Sequence, residues 1–164
     1  MLAMRARAVT ALLLLSLAAS ACGNKVELGT AAKIVDVTTG WFDAGVTEDG
    51  KNKLVPSISF RLQNTASQEL HSTQLNLIFK RVTDKDEWTT SYVRGIGQEG
   101  LQAGATTEPI VVRAQQGYTG VQPRLTMLQN KEFVDFKVEI FGKQGSAAYV
   151  KLGEFPIERQ LLTH

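Results

Sequence analysis

The sequence predicts an all-β fold: an immunoglobulin-like antiparallel β-sandwich of about seven strands, Greek-key connected. Three observations carry that prediction. Apolar and polar residues alternate with a period of two in several separate runs. The clearest is Pro56, Ile58, Phe60 and Leu62 set between Ser57, Ser59, Arg61 and Gln63. Clusters of Gly, Asn, Asp and Ser punctuate those runs. Beyond residue 30 no amphipathic run is long enough for a substantial helix. One sheet of such strands would leave an apolar face wet, so two must pack face to face. A jelly roll or an open barrel is the competing arrangement.

Taken in order, Ala32–Phe42 reads as a first strand through Ile34, Val35 and Val37, closing on Gly40 and the pair Trp41–Phe42. Ala44–Asn52 is a loop with Asp49-Gly50 at its turn. The second strand follows, and Pro56, lacking a donor N–H, belongs at its start or on an edge. Thr73–Val82 alternates through Leu75, Leu77 and Phe79, with Ile78 and Val82 on the other side. Trp88, Thr90 and Tyr92 mark a fourth strand, ended by Gly95, Gly97 and Gly100. Thr106–Ala114 is a fifth, with Pro109 placing its beginning on an edge. Gln115–Asn130 is irregular, with a helical turn at Leu125–Gln129. Glu132–Phe141 alternates through Val134, Phe136, Val138 and Ile140. Gly142–Gly145 is read as a hairpin loop, Ala147–Ile157 as the last strand, and the tail to His164 as fraying.

The first 21 residues are of another kind. Arg5 and Arg7 precede an apolar run from Val9 to Ala21 that ends in small residues. Cationic start, apolar core and small-residue end form the plan of a secretory signal peptide. The run falls short of the roughly 20 residues a spanning helix needs. Cys22, the only cysteine, follows at once. The expected organisation is therefore a signal peptide at 1–21, a short link at 22–30, a sandwich at 31–158 and a tail at 159–164. Eight link residues, Gly23–Thr30, reach at most about 27 Å, which would keep the domain near its attachment.

Ala19-Ser20-Ala21-Cys22 resembles the lipobox of bacterial lipoproteins. The resemblance implies cleavage between Ala21 and Cys22, lipid on the Cys22 sulfur, and acylation of the new N-terminus. Gly23 after the cysteine resembles the outer-membrane sorting pattern, which implies a periplasm-facing position if the cell has two membranes. Val55–Leu70 (VPSISFRLQNTASQEL) resembles an early strand of the FxLYD lipoprotein domains and of the related water-stress sandwiches. The nearest counterpart of the run that names the first family is Phe136-Lys137-Val138-Glu139-Ile140. This second resemblance implies a sandwich with an interaction role and transfers no functional residue.

Charge narrows the functional classes. Of 18 basic residues, Arg5 and Arg7 leave with the signal peptide, so 16 basic face 16 acidic residues. A neutral domain with interspersed signs has no electrostatic footprint for nucleic acid or anionic lipid. With Cys22 lipidated no thiol remains, so a hydrophobic core must stabilise the fold unaided.

Candidate chemistry is thin. Gly95-Ile96-Gly97-Gln98-Glu99-Gly100 fits the dinucleotide pattern by letter, but no strand–helix unit follows; a glycine turn is the favoured reading. His71 and His164 stand apart, whereas zinc needs three or four clustered ligands. Asp84, Asp86 and Glu87 lack the glycine of a calcium loop, and Lys85 opposes a cation. Ser146 lies at a hairpin without a base in view. The sequence thus implies neither cofactor nor metal, apart from the covalent lipid on Cys22. Trp41, Phe42 and Tyr118, large aromatics beside loops, are the candidate contacts for an envelope partner, if they are not simply covering a core end. The expected function is a membrane-anchored, non-enzymatic sandwich that binds or scaffolds an envelope component. The alternatives are an envelope hydrolase using loop carboxylates, or a carrier of a lipid or small apolar ligand.

Overall fold

The computed structural model describes residues 26–162; the expected signal peptide and Cys22 lie outside them, as does His164. Among the described residues, nine strands and two short helices follow in order: α1 (Leu28–Ala31), β1 (Ala32–Val46), β2 (Asn52–Asn64), β3 (Thr73–Arg81), β4 (Thr89–Ile96), β5 (Ile110–Arg113), β6 (Tyr118–Gly120), α2 (Arg124–Gln129), β7 (Phe136–Gln144), β8 (Val150–Ile157) and β9 (Leu161–Leu162). One sheet runs β5-β2-β1-β9, with β6 also on β2; the other runs β4-β3-β7-β8. All pairings are antiparallel except β1 with β9. The fold is a two-layer β-sandwich, as the alternation predicts.

The inward faces are the predicted ones. Ile58, Phe60 and Leu62 of β2, Leu75, Leu77 and Phe79 of β3, and Phe136, Val138 and Ile140 of β7 are all fully buried. Each such side chain contributes about 1.5–3 kcal/mol by leaving water. Ile78, on the outer face of β3, is buried as well, while Val82 beyond the strand is exposed.

Several boundaries differ from expectation, each for a physical reason. β1 runs on to Val46 because two register shifts bend it, after Val35 and after Asp43. Asp36 (φ 53°) and Gly45 (φ 88°) supply the left-handed backbone there, which Asp tolerates better than most residues and Gly adopts freely. Pro56 is neither at a strand start nor on an edge. It pairs with Trp41 in the middle of β2, and its carbonyl accepts the Ala114 N–H at 2.9 Å. Its donorless nitrogen faces that same side, at the break where the neighbour of β2 changes from β6 to β5. β5 is shorter than Thr106–Ala114, since Thr106 makes only an isolated bridge to Gln63. Gly142–Gln144 belong to β7, and the turn begins at Gly145. The tail does not fray at 161–162. Leu161 and Leu162 lie parallel to Trp41 and Phe42, and the Trp41 N–H donates to Gln160 O at 2.8 Å.

The strands give the molecule two poles. At the proximal pole α1 packs beside Ala32, Asn64, Thr73 and Gln144, where the N-terminal segment enters. At the distal pole Val46 pairs with Asn52 and Asn52 with Gly120, while Arg81 pairs with Phe136 and Phe136 with Ile157. The 13 residues of β2 separate the poles by about 40 Å at roughly 3.3 Å per residue.

Candidate functional site

β1, the loop before β4, β6, the loop before β7 and the start of β7 bring five rings together at the distal pole. Trp41 is fully buried, with Phe133 at 4.8 Å and Phe136 at 5.5 Å edge-on. Tyr118 lies 5.5 Å from Trp41, 4.8 Å from Phe133 and 5.4 Å from Trp88. Trp88 stands 4.3 Å from Phe136. Tilted and edge-on pairs of this kind each add about 0.5–1.5 kcal/mol beyond area burial.

Two arginines cap the rings. The Arg81 guanidinium lies 4.9 Å from the Trp88 ring, and that of Arg159 lies 5.1 Å from Phe133. Arg159 is fixed in place, donating to Asp135 at 2.6 Å and 3.1 Å and to Phe133 O at 2.8 Å. The Asp135 carboxylate holds the Arg159 pKa above its ordinary value. The Trp41 indole N–H is buried without an acceptor among the described residues.

Of the sequence-named contacts, the structure brings Trp41 and Tyr118 together and turns Phe42 away. Adjacent residues on a strand face opposite sides, and Phe42 stacks beneath Arg113 at 3.5 Å. Trp41, at 0% exposure, is core and not a free contact. Tyr118 is half-buried, with its hydroxyl directed at Val134 O at 3.4 Å. The apolar groups that are open at this pole are others: Val46 (61% exposed), Val121 (77%) and Leu125 (59%). Val46 lies one pairing step from Asn52, whose amide donates to Gln122 O at 2.8 Å beside Val121. Leu125 follows Arg124, which Asp43 holds at 2.5 Å from β1. That arginine keeps the Asp43 carboxyl below its usual range. Sequence reasoning missed this rim because its valine and leucine sit in an irregular stretch with no periodicity to mark them.

The remaining candidates take structural places. Gly95 sits under Leu62 and Leu75, where a Cβ would approach within 2.9–3.0 Å, and Gly100 has φ +75°. The next element after them is the strand β5, not a helix, so the pattern makes a strand end and a turn. His71 lies 3.3 Å from Glu69, half-exposed. Asp84 lies 3.7 Å from Arg81, and Glu87 accepts the Thr90 hydroxyl at 3.1 Å. Among the described residues no three His, Cys, Asp or Glu side chains gather as a metal site would require. Ser146 occupies the β7–β8 turn.

One carboxylate pair is close together, on the outer face of β7 and β8. Glu139 and Glu154 share Lys151, at 3.0 Å and 2.6 Å, and are held also by Lys80 (2.7 Å) and Lys137 (2.9 Å). Hydrogen bonds from Lys151 and then Lys137 lower Glu154 to about 2, and Lys80 lowers Glu139. A glycosidic general acid needs its pKa raised; lysine-held carboxylates have the opposite property.

No family model matches the chain, and no curated protein matches it. Among solved structures it is similar to a Bacteroides uniformis β-glucuronidase at 17% identity and a TM-score of 0.44, covering 77% of this chain but only 12% of that one. It is also similar to the structural-genomics target SoR45 at 16% identity and a TM-score of 0.41, covering 80% of this chain and 89% of that one.

Proposed function

We propose that the protein is an exported lipoprotein, held at a membrane of the cell envelope through lipid on Cys22, whose sandwich binds or scaffolds another envelope component without catalysis. The observation that carries this reading is polarity. The N-terminal segment enters at the proximal pole, and the exposed apolar rim of Val46, Val121 and Leu125 lies at the other. A tether at one end leaves the far end free for a partner, and confinement to a surface raises the effective concentration of tethered domain near membrane-bound components. One acyl chain, at about 0.8 kcal/mol per buried CH₂, binds only reversibly, so stable attachment requires a second.

Cys22→Ser tests the anchor. The variant is expected as unprocessed precursor or as soluble protein after fractionation of cells. Processed Cys22→Ser protein that still pellets with membranes would refute the reading. Crosslinking of the tethered protein in intact cells, read by mass spectrometry, tests the partner.

A further inference from the structure

We propose that β4 is a self-association edge, pairing antiparallel with β4 of a second copy about a two-fold axis through Tyr92. An open strand edge is a template for another strand unless something guards it. The other edges of the sandwich are guarded. β8 carries Lys151 and Pro156 and is bridged to β1, where the Thr39 hydroxyl donates to Pro156 O at 2.8 Å. β5 has four residues and follows Pro109, β6 has three, and β9 has two. β4 has eight residues without Pro or Lys, and among the described residues it pairs only with β3. Its regular part ends at Arg94, since the register shift after Ile96↔Thr73 makes Gly95 an extra residue.

The outer face of that edge is self-complementary. Antiparallel partners must share a face, so the axis passes through a residue and not between two. Centred on Tyr92, the pairing uses Thr90–Arg94 of the regular run. Tyr92, 70% exposed between Thr90 and Arg94 on the outer face, meets its own counterpart and covers part of its ring against it. Arg94 falls opposite Thr90 of the second copy, whose hydroxyl already binds the Glu87 carboxylate at 3.1 Å. The pair thus sets a guanidinium against a carboxylate twice, once at each end, with the Tyr92 rings one diagonal step away. Isologous two-fold contacts of this kind are the commonest route to a closed pair. The axis sends the two N-terminal ends to opposite ends of the pair, so a pair held on one bilayer lies along it. This inference does not depend on the lipid.

The test uses the full mature protein. In sedimentation equilibrium the wild type is expected to show a monomer–dimer equilibrium. Glu87→Arg, an exposed change, is expected to weaken the dimer by about tenfold or more, since two ion pairs become repulsions. Adding Arg94→Glu to Glu87→Arg reverses both signs and should restore association. In cells, Tyr92→Cys should form a disulfide-linked dimer under mild oxidation, because directly opposed strand residues have Cβ atoms about 4.5–5.5 Å apart. Val111→Cys, exposed on the other sheet, is the control for random collision. A wild type that stays monomeric, a Glu87→Arg variant that associates as well as wild type, a Val111→Cys crosslink of equal yield, or Tyr92→Cys adducts to other proteins in place of the dimer would each overturn the proposal.

Discussion

The two poles are closed by different physics. At the proximal pole a buried amide organises the backbone. Asn64, fully buried, donates to Gln68 O and Leu101 O at 2.8 Å each, and its Oδ1 accepts the Ala66 N–H at 2.9 Å. Leu70 and Leu101 exchange backbone bonds beside it, and the Thr65 hydroxyl reaches Thr30 O at 3.0 Å, tying α1 down. At the distal pole five rings and two arginines do the closing, and the central tryptophan leaves its own N–H unpaired among the described residues. Directional bonds fix the end where the chain enters; area and ring geometry fix the end that is free. The difference teaches where substitutions are tolerated. A hydrogen-bonded closure fails when one partner is lost, whereas a packed one fails when volume is lost.

Trp41→Ala should be the most damaging change, lowering stability by about 3–5 kcal/mol through the cavity it leaves among Tyr118, Phe133 and Phe136. Chemical denaturation measures it, and a loss below that of Asn64→Ala would break the contrast between the poles. Asn64→Ala should cost about 1–3 kcal/mol, because the Gln68 carbonyl and the Ala66 N–H lose their partner and the Leu101 carbonyl keeps only the Leu70 N–H. Hydrogen exchange should localise that loss to the proximal loops. The lysine–glutamate lattice between the poles should show itself through pH. The Glu154 pKa lies below its unfolded value of 4.5, at about 2, so its contribution is present above pH 4.5 and disappears as pH falls toward 2. Glu154→Gln should flatten that part of the acid unfolding curve, and an unchanged curve would mean the pairs contribute nothing. The smallest effect on stability is expected at the distal rim. Val121→Ser with Leu125→Ser should stay within about 0.5 kcal/mol of wild type while abolishing partner crosslinks in cells.

Legibility followed periodicity. β7, β2 from Ile58 on and β3 up to Leu77 alternate buried with less buried residues, and their inward sets were readable from Ile58, Leu77 and Val138 outward. The helical turn at Leu125–Gln129 was readable too, within α2. Pro56 misled, because its missing donor is harmless only at a gap between two neighbouring strands, and a gap is a property of the sheet. The distal cluster was half legible. Trp41 and Tyr118 stood out as large rings near loops, but their convergence with Trp88, Phe133 and Phe136 joins segments far apart in the chain. Glu139 and Glu154, both on predicted strands, gave no sign of their shared lysine.

By itself the sequence determined the all-β class and the alternating inward faces of β2, β3 and β7. It determined these because side-chain period and turn chemistry are local, set within a few residues. Only the tertiary structure decided that Trp41 is core while Val121 and Leu125 are surface, that the tail becomes β9, and that β4 is left as an open edge. Which edge goes uncovered depends on where every other strand has gone, and no short stretch of chain contains that information.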